Sequence, residues 1–300
     1  MRTRLIVNPT SDQGHTLAVL PHINGILGQL SLDFDVVQTE APGHAVDLTR
    51  QAVAEGVERV VAVGGDGTCN EVANGLISIA AKESPAILGL IPSGSGNDWA
   101  VALGIPLDIA LACAVLKNGS AHVIDMGRVT VDGTVRFFVN MVGLGLDAEV
   151  AQDTRRTTWL RGSPRYLLSV FKVLVAGQWP YPTEFCYNGQ QRQQSLVLIA
   201  VGNGTRAGGG FLLTPEAKMD DGLFDICHAA QMSRLSLLNL LPKTLKGTHI
   251  FDPKVTMARS DKIVVMAANG IPGHIDGETL CVAGRRFEFE ILPGALRVWK

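Results

Sequence analysis

Over the first 120 residues, short unbroken apolar runs alternate with longer stretches whose apolar positions recur every three or four residues. The runs at 5–7, 34–37, 60–63 and 87–91 predict buried strands, and segments 15–30, 44–55, 69–81 and 107–117 predict helices between and after them. Such βα alternation implies a parallel sheet covered on both faces, with ligands outside the carboxyl ends of the strands. Those ends are polar or glycine-rich: Asn8-Pro9-Thr10, Thr39-Glu40, Gly64 to Thr68, and Ser93 to Asp98. From about residue 123 the texture becomes that of strands and tight turns. Val129 to Val131 and Val135 to Val139 flank Asp132-Gly133, while Phe185 to Tyr187 leads through Asn188-Gly189 toward the run at 196–201. Further strands are expected at 224–228, 262–267 and 287–292, with a helical insertion around 159–177. The domains expected are 1–122, α/β, and 123–289, largely antiparallel, with residues from about 290 to 300 returning to the first. A site between the two is the expectation.

The most informative stretch is Val60-Val61-Ala62-Val63-Gly64-Gly65-Asp66-Gly67-Thr68, followed by Cys69-Asn70-Glu71-Val72. Glycines let the backbone turn tightly and approach a ligand. Thr68 and Glu71 stand three apart ahead of Val72, Leu76 and Ile79, the pattern of a capped helix start. A helix N-terminus behind a glycine turn suits phosphate. Asp66 within it calls for a cation or hydroxyl sharing the site. A second glycine turn, Ser93-Gly94-Ser95-Gly96-Asn97-Asp98, reads alone as an ordinary loop or a phosphate contact; beside the first turn it completes a clamp.

Composition narrows the class. Hydrophobic residues make up 46% and charged residues 18% of 300, and the net charge is -2. That balance argues against a nucleic-acid partner and against a polybasic membrane anchor. Five scattered cysteines without a CxxC pair read as reduced thiols in a cytoplasmic protein. No signal peptide and no membrane-spanning run is expected.

Other motifs stay open on the residues alone. GxxxxGK[ST] is missing, and two lenient GxGxxA matches beginning at Gly143 and Gly202 fall in the strand-rich half without βαβ context. Asp276-Gly277-Glu278 reads first as a hairpin turn, and otherwise as a proton-accepting carboxylate pair. Lys218-Met219-Asp220-Asp221-Gly222-Leu223-Phe224-Asp225 is an exposed acidic turn or a Mg²⁺ loop. The apolar segment 159–181, with Trp159, Leu160 and Arg161 among its residues, reads as core-packing helix ahead of a lipid-facing one. Among the histidines, His274 draws notice for its nearness to Asp276.

In order along nearly the whole chain, Asn8-Pro9-Thr10-Ser11, Gly64-Gly65-Asp66-Gly67-Thr68, Gly94-Ser95-Gly96-Asn97-Asp98 and Ile124-Asp125-Met126-Gly127 occur. They are followed by Asn203 with Gly208-Gly209-Gly210, Pro215-Glu216-Ala217, Asp220-Asp221-Gly222-Leu223 and Asp276-Gly277-Glu278. This series resembles the diacylglycerol kinase catalytic family of lipid kinases, which includes sphingosine and ceramide kinases. The resemblance implies an α/β fold: a doubly wound nucleotide domain like that of phosphofructokinase and NAD kinase, plus a C-terminal antiparallel β-sandwich.

It also implies that ATP phosphorylates a lipid hydroxyl, with diacylglycerol the leading acceptor. Asn8, Pro9, Thr10, Ser11, Asp12, Thr39, Gly64, Gly65, Asp66, Gly67, Thr68, Cys69, Asn70 and Ser95 would line the ATP site. Asp276 and Glu278 would activate the hydroxyl. Lys218, Asp221 and Leu223 would hold Mg²⁺, with Asp125 joined to that ion and to the catalytic pair through water. A cytoplasmic protein in peripheral contact with a membrane is implied, and a homodimer is left open. The chain departs from the family pattern at Asp12 (usually Gly), Trp99 (usually Phe) and Val101 (often Arg). The alternatives are an NAD kinase, which shares the Gly-Gly-Asp-Gly turn but pairs it with a separate Asn-Glu, and a non-catalytic nucleotide or lipid sensor. The only Asn-Glu here is Asn70-Glu71, inside the first motif.

Overall fold

The computed structural model describes residues 1–79, 86–157 and 162–300. They form two units, residues 1–124 with 294–300 and residues 125–293.

In the first unit β1 (Thr3–Val7), α1 (His15–Gln29), β2 (Phe34–Gln38), α2 (His44–Ala54), β3 (Arg59–Gly64), α3 (Asp66–Ile79) and β4 (Ile87–Pro92) alternate. Short α4 (Asp98–Ala102) and α5 (Ile109–Asn118) follow. The parallel sheet has the order β2-β1-β3-β4, and Val298 of the chain's last strand pairs with Leu88. Strands β1, β3 and β4 are buried throughout, which is why their sequences are continuous apolar runs. One face packs Leu5, Val7, Val61, Val63 and Ile91 against Leu20, Ile23 and Leu27 of α1 and Cys113 and Leu116 of α5. Each fully buried Val, Leu or Ile contributes about 1.5–3 kcal/mol. The C-terminal residues are tied in through paired main-chain bonds between Ser120 and Lys300 (2.9 and 3.0 Å) and through Trp299, whose Nε1 donates to Val115 (3.0 Å). Because β2 and β3 lie on opposite sides of β1, the strand order reverses there. A crevice therefore opens at the carboxyl ends of β1 and β3.

The second unit is antiparallel. It takes in β5 (Ala121–Val131) from Asp125 onward, β6 (Thr134–Phe138), β7 (Met141–Gly145), α6 (Leu146–Arg156) and α7 (Gly162–Ala176). These are followed by β8 (Tyr181–Tyr187), β9 (Gln190–Gly202), β10 (Phe224–Ala230), α8 (Arg234–Leu245), β11 (Val255–Ser260), β12 (Lys262–Ile275) and β13 (Glu278–Trp299). The path β11-β10-β9-β7-β12-β13 is joined by β8, against β12 and β9, and by β5 with β6. One core, including Phe138, Phe185, Phe224, Phe287 and Phe289, lies between the strands. A second fills the space between the sheet and α6, α7 and α8, with Met141, Val150, Val170, Leu174, Leu237 and Leu240. Asp132-Gly133, Asn188-Gly189 and Asp276-Gly277 all have positive φ at both positions, as two-residue hairpins between right-twisted strands require.

The expected strands are present, several of them longer than the sequence pattern suggests: those at 262–267 and 287–292 are parts of β12 and β13. Helix α3 begins at Asp66, three residues early, and the Thr68–Glu71 capping box does not form. Glu71 instead reaches across to α2, its carboxylate accepting the N–H of Gly43 (2.8 Å) and of Ala45 (3.1 Å). The expected insertion at 159–177 is α7, preceded by an unanticipated α6; α4 and α8 are likewise new. Residues 80 and 81 of the expected third helix, with Trp159, Leu160 and Arg161, lie outside the described residues. Among the described residues no helix is long and apolar enough to cross a membrane.

Candidate active site

At the carboxyl ends of β1, β3 and β4, the two glycine turns pack main chain against main chain. A Cβ at Gly94 would stand 2.3 Å from the Gly65 Cα, and the Ser93 N–H donates to the Gly64 carbonyl (2.9 Å). The second turn is held by Asn97, whose side chain accepts the Gly94 N–H (3.0 Å) and donates to the Gly94 carbonyl (2.6 Å). Asp66 explains itself without a cation: its carboxylate accepts the N–H of Asp98 (3.2 Å) and of Trp99 (2.9 Å), fastening the first turn to the start of α4.

Asn8 reaches over from β1. Its Nδ2 donates to Thr68 Oγ1 (3.2 Å), and its Oδ1 accepts the Thr10 N–H (3.1 Å) and hydroxyl (2.9 Å). Asp12, at φ +47, adopts the left-handed conformation natural to the family's glycine, and its carboxylate accepts the Ser95 hydroxyl (2.5 Å). Asn8, Pro9, Thr10, Ser11, Asp12, Gly65, Asp66, Gly67 and Ser95 are thus gathered at one sheet edge with solvent access. Thr39, Gly64, Thr68, Cys69 and Asn70 are buried behind it. The first turn of a 14-residue helix opens onto this edge, the end of a helix whose dipole suits an anion.

In the second unit Asp276 sits in the β12–β13 turn yet is only 5% exposed. Its two oxygens accept three consecutive main-chain N–H groups, Val139 (2.9 Å), Asn140 (3.1 Å) and Met141 (2.8 Å). The other aspartate of this turn type, Asp132, is exposed and accepts the N–H groups of Arg285 and Arg286. Asp276-Gly277 is therefore both a hairpin turn and a buried charge, so the two sequence readings do not exclude each other. Glu278 is 36% exposed, with Arg136 and Arg155 each 4.0 Å away.

The loop that carries Asn140 is anchored by Asn203, fully buried, whose Nδ2 donates to the carbonyls of Asp125 (2.9 Å) and Val139 (2.8 Å). Asp125 in turn accepts the Gly222 N–H (2.8 Å) and donates to the Met219 carbonyl (2.6 Å). A direct chain of hydrogen bonds thus runs from the 218–223 loop to the Asp276 turn. Within that loop Asp221 accepts the Leu223 N–H (3.1 Å) and pairs with Arg259, which also lies 3.4 Å from Asp225. Burial pushes the Asp225 carboxyl up, and Arg259 opposes that shift. Among the described residues no three His, Cys, Asp or Glu side chains group around a metal position.

Sequence reasoning missed the most distinctive feature of this unit, a narrow apolar slot between α6, α7, α8 and the sheet. Its cavity volume is small, about 50 Å³. Val150, Val170, Leu174, Phe211 and Leu237 line it, together with Asp147. Asp147 bonds His274 (2.6 Å) and accepts the Tyr166 hydroxyl (3.3 Å). The core-packing expectation for α7 holds on one face only: Phe171 is 58% and Val175 61% exposed, and Leu235 and Leu238 of α8 are exposed as well.

Comparison with known proteins agrees with this layout. Residues 2–129 match the diacylglycerol kinase catalytic domain, and residues 140–300 match the YegS C-terminal NAD kinase beta sandwich-like domain. A diacylglycerol kinase of Mycobacterium tuberculosis is 34% identical, over 98% of this chain and 93% of its own length. The diacylglycerol kinase of Bacillus subtilis is 30% identical (92% and 89%), and a "probable lipid kinase YegS-like" of Pseudomonas aeruginosa 34% (85% and 81%). In fold, a diacylglycerol kinase crystal structure from Bacillus anthracis covers 99% of this chain and 96% of its own, at TM-score 0.74 and 23% identity. The ordered motifs, the two folded units and relatives matched over most of their length lead to one conclusion: the chain belongs to the diacylglycerol kinase catalytic family and is a lipid kinase.

Proposed function

We propose that the protein transfers the γ-phosphate of ATP to the free hydroxyl of diacylglycerol, giving phosphatidic acid. The observation that carries this reading is the apolar slot of the second unit, lined almost wholly by hydrocarbon side chains and including Asp147, which bonds His274 next to the Asp276 turn. The exposed Phe171, Val175, Leu235 and Leu238 on the same two helices supply an apolar surface for meeting a bilayer. In the first unit, the glycine turns and the start of α3 present main-chain N–H groups to the nucleotide phosphates.

Roles follow from exposure. Glu278, half-buried and near two arginines, is the group free to take the hydroxyl proton. Asp276, with both oxygens engaged by three amides, orients the hairpin that carries it. The Asp221 loop offers hard oxygen donors of the kind Mg²⁺ takes, and Asp221 with the main-chain oxygens of Lys218 and Leu223 would hold that ion in place of Arg259. When bound, Mg²⁺ supplies positive charge that steadies the loop tied to Asp125.

Filling the slot tests the reading. Leu240→Trp should raise KM for diacylglycerol roughly tenfold or more, the scale on which hydrophobic pockets discriminate, with KM for ATP within about twofold. An unchanged lipid KM in a folded variant would remove the slot from the substrate site.

A further inference from the structure

The Asp147–His274 pair lies outside the phosphate chemistry described above, yet Asp147 lines the slot. Among the described residues lining the slot, Asp147 is the only one that carries a charge. It projects from the first turn of α6, and its Oδ2 lies 2.6 Å from His274 Nε2 on β12. Both side chains are buried, and the remaining ring nitrogen of His274, Nδ1, has no hydrogen-bond partner among the described residues. The contact is built in: a Cβ at Gly143 would stand 2.2 Å from Asp147 Oδ2 and 2.4 Å from His274 Nε2. Burial pulls the imidazole toward its neutral form, but the charge and hydrogen bond of Asp147, with Asp276 adding, hold its pKa above the ordinary value.

An unpaired carboxylate in the wall of an apolar slot would attract a cationic lipid strongly, because little water remains to screen it. Paired with a protonated His274 it would present no net charge. We propose that His274 sets acceptor specificity by cancelling the Asp147 charge, so that the slot takes an uncharged hydroxyl lipid and not an amino-alcohol lipid. This inference rests on the slot's being the acyl site of the proposed function. His274 acts on the acceptor through Asp147 and takes no part in the proton transfer assigned to Glu278.

The test compares binding of dodecanol and dodecylammonium, which needs no turnover, in the full-length protein and in His274→Gln, Asp147→Asn and the double variant. Wild type should bind the alcohol in preference to the ammonium. His274→Gln should raise ammonium affinity about tenfold or more relative to the alcohol, and adding Asp147→Asn should return the ratio to its wild-type value. Asp147→Asn alone, a milder change should His274→Gln fold poorly, should not gain ammonium affinity. Alcohol binding with a ratio unmoved in His274→Gln would overturn the specificity role. So would an equal loss of both ligands, the mark of a structural residue. Failure of wild type to bind the alcohol would defeat the acyl-slot reading itself.

Discussion

The two units build polar sites by opposite means. In the first, main chain does the work: Gly65 and Gly94 touch through their backbones, and the side chains of Asp66, Asn97 and Asn8 mostly brace the turns. In the second, buried side chains carry the charge: Asp276 holds the 139–141 main chain, and Asp147 on α6, which lines an apolar slot, meets His274 on β12. A phosphate has the same shape in every substrate and can be met by amides, whereas a lipid acceptor has to be chosen by the depth and charge of a pocket. Substitutions in the first unit should therefore act through the backbone, and those in the second through charge.

The largest effect separates chemistry from scaffold within the second unit. Glu278→Gln should lower turnover by about 10²- to 10⁴-fold with little change in melting temperature, since the side chain is half exposed. Asp276→Asn should lose turnover as well but also cost about 1–3 kcal/mol of stability, because an amide nitrogen would face main-chain donors. Equal melting temperatures for the two variants would erase the distinction drawn between them.

Next is the backbone site. Gly94→Ala should weaken ATP binding roughly ten- to hundredfold through overpacking against Gly65, with lipid binding unchanged. Calorimetry with a non-hydrolysable ATP analogue reads both the loss and its selectivity.

A pH effect belongs to the second unit. His228, buried against Phe185 and Tyr187, has its pKa pushed down to about 4 by burial first, with Arg192 adding. The unfolded chain then binds the extra proton, so stability is intact above the unfolded value near 6.5 and is lost as pH falls toward 4. The loss is up to roughly 3 kcal/mol. His228→Phe should flatten that part of the stability–pH curve in denaturant titrations.

The smallest effect concerns the acidic loop. With Arg259 paired to Asp221, added Mg²⁺ should raise the wild-type melting temperature little. Arg259→Gln should become more stable with Mg²⁺ by about 1 kcal/mol, and EDTA should reverse it.

The same contrast decides what was legible in the sequence. The glycine turns were readable because a βα unit puts its ligand-facing residues in one contiguous stretch after the strand, as Gly64 to Thr68 and Gly94 to Asp98 illustrate. Even there, the roles of Asp66 and Glu71 were not, since each caps a helix distant in sequence. In the second unit Asp147 and His274 are 127 residues apart, and no local pattern joins them. Helix α8 carried a signal that went unread. Ser233 accepts the Ser236 N–H as its N-cap, and Pro242, a helix breaker by residue type, lies inside the helix. The slot exists only because α6, α7 and α8 pack around one space, and sequence periodicity reports each helix's faces without saying which neighbour covers them.

The central claim is tested most directly by following labelled γ-phosphate from ATP, with Mg²⁺, into a panel of lipids in mixed micelles that also contains NAD. The account predicts labelled phosphatidic acid from diacylglycerol and no label on NAD. Label on NAD alone, or ATP bound without transfer to any lipid, would contradict it.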